Sequence, residues 1–198
     1  MQNRVTPLGD VEAIGLRGRW MGNRGCLHEG TTVVRHHRGR RWIICEPDYK
    51  GWRAAQWARG RYTVLFFHDE AVALAAGHRP CALCRRPAFE AYRAPLGRPT
   101  APDLDDRLHA ERWDGGRRTL HARPWSDVPS GAFVLDDGKP ALVTEGALVP
   151  WSATGYGPAR ARPTRGNAQV ITPPTSLVAL ADGYPLQVSE SSRPTLGG

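Results

Sequence analysis

Four cysteines, Cys26, Cys45, Cys81 and Cys84, are the residues of this sequence whose chemistry is easiest to read. In Cys81-Ala-Leu-Cys84 the two-residue gap lets both thiolates point at one ion from a tight knuckle. Zinc takes four ligands in a tetrahedron, and the two upstream cysteines complete such a set. The expected site is therefore one zinc ion held by Cys26, Cys45, Cys81 and Cys84. Cys26 and Cys45 are 19 positions apart and make no second knuckle, so His28 stands as a substitute ligand. A redox pair is the rival reading of Cys81 and Cys84. That motif, however, follows a strand and opens a helix, whereas here a helical run and Gly77-His78-Arg79-Pro80 come first. A closed four-cysteine zinc contributes to folding, by about 10 kcal/mol or more in zinc-finger peptides. Its thiolates stay nucleophilic where few hydrogen bonds quench their charge.

Phosphate recognition is the second chemistry on offer. The formal net charge is +8, and 25 of the 27 basic residues are Arg, a usage that GC-rich codons also supply. The distribution says more: residues 1–61 hold twelve basic and five acidic residues, whereas residues 99–150 carry a net −3. A basic first third beside an acidic middle suits a polyanion such as DNA. Arg35-His36-His37-Arg38-Gly39-Arg40-Arg41-Trp42, then Lys50-Gly51-Trp52-Arg53, combine guanidinium forks for phosphate with indoles able to stack on bases. The candidate contacts are Arg38, Arg40, Arg41, Lys50 and, beside the knuckle, Arg79, Arg85 and Arg86. The competing role for the last three is ion pairing with Asp69, Glu70 or Glu90, and for Trp42 and Trp57 it is the core. A third possibility is an enzymatic site at Asp105 and His109, four apart on one helical face, where a carboxylate can orient an imidazole. No phosphate-binding loop, dinucleotide fingerprint, nucleophile elbow or zinc-protease helix is present.

These residues need a scaffold. Residues 41–45 and the β-branched and aromatic run 61–67 read as strands. Asp69 caps a helix that Ala71 to Ala76 propagate and Gly77 ends. Pro87 fits the first turn of a second helix reaching about Tyr92. Pro95, Pro99 and Pro102 mark a linker-like stretch, followed by a helix from Leu104 to Trp113 with Leu104 and Leu108 inward. From about residue 119 the pattern is β, with a hairpin turn at Asp136-Asp137-Gly138-Lys139. A last helix runs to about Ala181, capped by Thr175 or Ser176, and the tail from Ser189 is polar. The expected class is α+β, with short strands and helices around a zinc knuckle and a β-rich C-terminal half. Residues 1–98 form the zinc-binding half and 99–198 a second half packed on it. No apolar run approaches the roughly 18–20 residues that span a bilayer, and the N-terminus lacks signal-peptide features, so a cytoplasmic, non-membrane protein is expected.

Leu65-Phe66-Phe67-His68-Asp69-Glu70-Ala71, continuing to Ala75-Ala76-Gly77-His78-Arg79-Pro80-Cys81-Ala82-Leu83-Cys84-Arg85, resembles the second half of the Ada metal-binding domain. The resemblance covers about residues 42–86. In that family four cysteines hold zinc and one zinc-bound thiolate takes a methyl group from a phosphotriester in damaged DNA. The family's knuckle pair corresponds to Cys81 and Cys84, and its first cysteine to Cys45. Its second cysteine, four residues on, has no counterpart, because Tyr49 stands there. The resemblance implies a zinc protein that binds DNA, in a damage response. The alternative is an enzyme on a small or nucleotide-like substrate, with structural zinc and a site near Asp105 and His109.

Overall fold

The structure is a computed structural model that describes residues 2–192. Its first sheet is built from β1 (Arg4–Val5), β2 (Val11–Glu12), β3 (Trp20–Asn23), β6 (Ile43–Cys45), β7 (Leu65–Phe67) and β8 (Arg79–Pro80), in the order β2-β1-β7-β3-β6-β8. The β1–β7 and β6–β8 pairings are parallel and the others antiparallel. A small hairpin of β4 (His28–Glu29) and β5 (Thr32–Val33) stands apart. The helices are α1 (Glu70–Ala75), α2 (Arg86–Arg93), α3 (Ala101–Arg112) and α4 (Pro174–Ala181). After α3 come a ribbon of β9 (Trp113–Asp114) and β10 (Arg117–Arg118), then an antiparallel sheet. Its strands are β11 (His121–Pro124), β12 (Phe133–Asp136), β13 (Lys139–Val143), β14 (Ala147–Ser152), β15 (Gly155–Tyr156), β16 (Arg160–Ala161) and β17 (Asn167–Val170). They follow the order β11-β17-β12-β13-β14-β15, with β16 also on β14. The class is α+β with a β-rich second half. One hydrophobic core crosses residue 98, joining Val5, Leu65, Phe67 and Leu74 to Val134, Val170 and Leu180.

Helix α1 has six residues, all buried, far too few to persist without tertiary support. Asp69 caps it, its Oδ1 accepting from the Val72 amide at 3.0 Å, as expected. The other oxygen of Asp69 accepts from the Tyr156 hydroxyl at 2.8 Å and the Ser189 amide at 3.0 Å. Glu70, fully buried, accepts from the Tyr184 hydroxyl at 2.6 Å and the Gln187 amide at 3.0 Å, and pairs with Arg85 at 2.6 Å. Each acid of this pair is thus answered several times over, as a buried carboxylate must be. Gly77 ends the helix with φ +88, and a Cβ there would lie 2.4 Å from the Arg112 side chain. That position needs both a left-handed backbone and no side chain.

Several boundaries differ from the sequence pattern. The strand expected over 61–67 is confined to Leu65–Phe67, because the Thr63 amide bonds to Gly25 O and its hydroxyl accepts from the Leu27 amide. Helix α3 begins at Ala101, not Leu104. Thr100 and Asp103 form a capping box there, and Pro102 sits in the first turn, where its missing N–H costs nothing. Only the end of the stretch expected as a linker, at Pro102, is a helix start; Pro95 lies in a 3-10 turn, Ala94–Leu96, and Pro99 in irregular chain. Neither Thr175 nor Ser176 caps α4: Pro173 occupies that position, and Thr175 instead donates from its amide and hydroxyl to Glu111. The hairpin turn is as expected, with Asp137 and Gly138 both at positive φ. Part of the polar tail, residues 193–198, lies outside the described residues.

The Arg79 guanidinium on β8 grips Asp105 on α3 with two bonds, of 2.9 and 2.8 Å, in a buried setting. Breaking a buried pair strands a charge, whereas replacing both partners by apolar groups does not. Asp105→Ala should therefore cost about 3–5 kcal/mol in urea unfolding, and Arg79→Met with Asp105→Leu should recover most of it. A single-variant loss under about 1 kcal/mol would show that the pair is not holding α3 in place.

Candidate metal centre

Cys45 ends β6, and β8 runs parallel to β6, so the turn that follows Pro80 comes up beside it. The Cys81 amide donates to Ile44 O at 2.9 Å and locks the register. As a result the sulfurs of Cys45, Cys81 and Cys84 all lie within 4.8 Å of one another. Three sulfurs around a tetrahedral ion at Zn–S about 2.3 Å stand about 3.8 Å apart, so the cluster needs only a small contraction. Backbone N–H groups of Leu83 and Cys84 aim at the Cys81 sulfur and favour its thiolate; that of Glu46 aims at the Cys84 sulfur, whose thiol is nevertheless raised by its bond with Cys81 and by burial. The three groups are coupled: hydrogen bonding to Cys81 and Cys84, with burial, pushes the Cys45 thiol up. Hydrogen bonds from Cys45 and Cys84 pull the Cys81 thiol down. A cation would replace those shared protons. Met21 and Val64 pack around the cluster, with Tyr62, Ala54 and Phe66 at its edge. Burial and the neighbouring Cys45 and Cys84 raise the Tyr62 phenol.

The expected fourth ligand is not there. Cys26 lies outside the cluster, its thiol facing His28 O at 3.9 Å. It follows Gly25 at the far end of β3 from Met21, the residue that pairs with Cys45, so the strand carries it away from the site. His28 is no substitute, since neither of its ring nitrogens joins the group of sulfurs; its Nδ1 bonds the Thr63 hydroxyl at 2.6 Å and its ring packs edge-on to Trp57 at 5.3 Å. Among the described residues the cluster consists of three thiols.

The basic residues divide sharply. Arg79 and Arg85 are buried, Arg79 on Asp105 and Arg85 on Glu70, with Glu46 at 3.7 Å and the Arg85 guanidinium 3.8 Å above the Trp20 ring. They are pillars of the fold and cannot meet a polyanion. Arg38, Arg40, Arg41, Lys50 and Arg86 are exposed, although Arg40 pairs with Asp106 and Arg86 with Glu90. The sequence reading missed a hollow of about 270 Å³ lined by Trp52, Arg53, Ala54, Ala55, Ala58, Arg61 and Tyr62. Ala54 and Tyr62 connect it to the cysteine cluster, and Trp52 is 57% exposed beside it. Only the Trp52-Arg53 pair hinted at this in the sequence.

Asp105 and His109 do not form a dyad. Both Asp105 oxygens are taken by Arg79, and burial raises its carboxyl in spite of that partner. The His109 ring packs instead on His37, at 5.3 Å. Nearby, Trp42 is fully buried with the guanidinium groups of Arg24 and Arg112 each 4.0 Å from its ring. His78 and His36 flank this stack. Burial, reinforced by Arg24, holds His36 down at about 3 and His78 well below its usual range.

Two measurements follow. Cys45→Ser, Cys81→Ser or Cys84→Ser should each abolish stoichiometric zinc by elemental analysis, while Cys26→Ser should retain it; loss of zinc in Cys26→Ser would restore the four-cysteine site. For the imidazoles, the unfolded chain takes up protons below about pH 6.5 that the fold refuses. Their stability contribution is complete above that pH and declines as pH falls towards the depressed folded values, His78 alone giving up to about 1.4 kcal/mol per pH unit. Urea midpoints that stay flat from pH 7 to 5 would show these rings protonated inside the fold. Compared with protein-family models, with curated proteins and with solved structures, the chain matches none.

Proposed function

We propose that Cys45, Cys81 and Cys84 bind one zinc ion and that the surface around it binds nucleic acid, with DNA the leading candidate. The observation that carries this reading is the adjacency of three clustered sulfurs to a hollow bearing Arg53, Arg61 and the exposed ring of Trp52. Zinc held by three protein ligands keeps a position for water or an incoming group and acts there as a Lewis acid. The chain's own contribution is positional. The strands fix the cysteines, Arg61 and Arg53 present guanidinium forks to phosphate, and Trp52 offers a face to an unpaired base. Arg53 is held to Asp48 at 2.8 Å and would have to exchange that exposed carboxylate for phosphate. Arg38, Arg41 and Lys50, all exposed, extend the basic surface along the chain. A place in a DNA damage response rests on the resemblance of residues 42–86 to the Ada metal-binding domain. No helix among the described residues is long and apolar enough to cross a membrane, and a cytoplasmic location is part of the same proposal.

Fluorescence anisotropy on short single- and double-stranded DNA across 50–200 mM salt tests the reading. Binding should weaken linearly on a log–log scale, with a slope of about −0.7 per phosphate neutralised on single strands. Trp52→Ala should cost about 1–3 kcal/mol on single strands, and Arg53→Gln with Arg61→Gln should flatten the slope. Absent binding at 50 mM salt with zinc bound, or binding indifferent to salt, would sink the proposal.

A further inference from the structure

A second hollow, of about 330 Å³, is lined by His28, Glu29 and Gly30 of the β4–β5 hairpin and by Trp57, Arg59 and Gly60. Its volume is in the range of small-ligand pockets. Trp57, Arg59 and Gly60 belong to the same irregular stretch whose Ala58 lines the hollow beside the cysteine cluster. None of the six is a member of that cluster. His28 is only 5% exposed, and one of its two ring nitrogens is committed. Its Nδ1 stands 2.6 Å from the Thr63 hydroxyl, which also accepts from the Leu27 amide at 2.8 Å. The hydroxyl hydrogen has no other acceptor among the described residues, so Thr63 donates it to Nδ1 and the ring hydrogen sits on Nε2. Nε2 is buried and has no partner among the described residues. A buried donor left unmet costs more than an ordinary hydrogen bond gains, and one on a ring that lines a hollow points to an occupant.

Trp57 supplies an aromatic wall. Its ring stands edge-on to that of His28, with centroids 5.3 Å apart and planes at 90°. Its backbone has φ +59, a left-handed conformation that a bulky residue keeps only where its surroundings hold it there, as they do at ligand clamps. Arg59 is exposed and makes no ion pair among the described residues, whereas Glu29 is taken by Arg35 at 3.2 Å. The hollow therefore combines an aromatic ring, a buried donor and a free surface cation. We propose that it binds a nucleotide, with the base stacked on Trp57, an acceptor on the base edge taking the His28 Nε2 hydrogen, and the phosphate on Arg59. Stacking on an aromatic face is open to every base, and a guanidinium fork matches phosphate. The choice of a nucleotide, free or as an unpaired residue of a strand, rests on the nucleic-acid reading of the neighbouring hollow; the pocket and its unmet donor do not.

Calorimetric titration of the full chain with the common nucleoside monophosphates tests the pocket, beside fluorescence anisotropy on a short single-stranded DNA at about 50 mM salt. At least one monophosphate should bind saturably, with a Kd below about 1 mM. His28→Phe keeps the ring and removes the donor, and should weaken binding about tenfold. Trp57→Ala should weaken it by about the same factor. Arg59→Gln, at an exposed position that puts no fold at risk, should shrink the advantage of the monophosphate over its nucleoside about fivefold. Trp52→Ala, in the other hollow, should leave monophosphate affinity within about twofold. If Trp57→Ala weakens the strand as well as the monophosphate, the occupant is an unpaired base; if it weakens the monophosphate alone, the occupant is a free nucleotide. Monophosphate binding by a chain that fails to bind DNA supports this pocket and removes only the neighbouring reading. The pocket is overturned if no monophosphate saturates up to about 5 mM and strand affinity is unchanged in Trp57→Ala. It is equally overturned if binding survives His28→Phe and Trp57→Ala intact, or is lost in Trp52→Ala instead.

Discussion

The Glu70 carboxylate, shut off from solvent, takes the Tyr184 hydroxyl, the Gln187 amide and the Arg85 guanidinium, and most of the architecture hangs on that convergence. A carboxylate in such a place is tolerable only when every lone pair is met. Its partners come from the C-terminal segment and from the residue that follows the last cysteine. Docking α1 therefore fixes the cysteine turn and closes the C-terminal chain over the core in one step. Burial alone would lower the Arg85 guanidinium, but Glu70 outweighs it and holds the group above its usual value.

The cysteine cluster inherits its precision from this arrangement. Arg85 is clamped between Glu70 and the Trp20 ring, Cys81 is bonded to Ile44 O, and Arg79 is held by Asp105. The knuckle consequently has little freedom before any ion arrives, and Cys45 meets it from the parallel neighbour strand. A site formed this way needs to reorganise protons more than backbone. Beside the cluster, through Ala54 and Tyr62, lies a stretch that is neither strand nor helix, residues 52–62 with Trp52, Arg53 and Arg61. Loops of that kind commonly carry recognition on a rigid scaffold.

The basic interior is the counterpart of the acidic one, with a different outcome. Arg112 and Arg118 cover the C-terminal carbonyls of α1, where cations are favoured by the helix dipole. Trp42 between Arg24 and Arg112 supplies cation–π stabilisation that partly offsets the loss of water. The charges of these arginines also add to burial, the larger cause, in holding His36 and His78 down.

Local signals in the sequence determined the α+β class, the Asp69 cap, the Gly77 stop, the 137–138 hairpin turn and the closeness of the Cys81 and Cys84 sulfurs, because each depends on neighbours a few residues apart. Cys45 was legible as a partner of that pair by its place at a strand end, and its sulfur does lie within 4.8 Å of both. Cys26 was misplaced, since only the direction of β3 relative to β6 decides whether its thiol reaches the others. The fate of the arginines was likewise beyond any spacing rule. Arg79, Arg85, Arg24 and Arg112 look like their exposed neighbours in composition, yet the packing of the strands, helix and turns that carry them turns them inward against Asp105, Glu70 and Trp42. Charge type is written locally, but burial and pairing are properties of the packed chain, and these decide which cations hold the fold and which face a ligand.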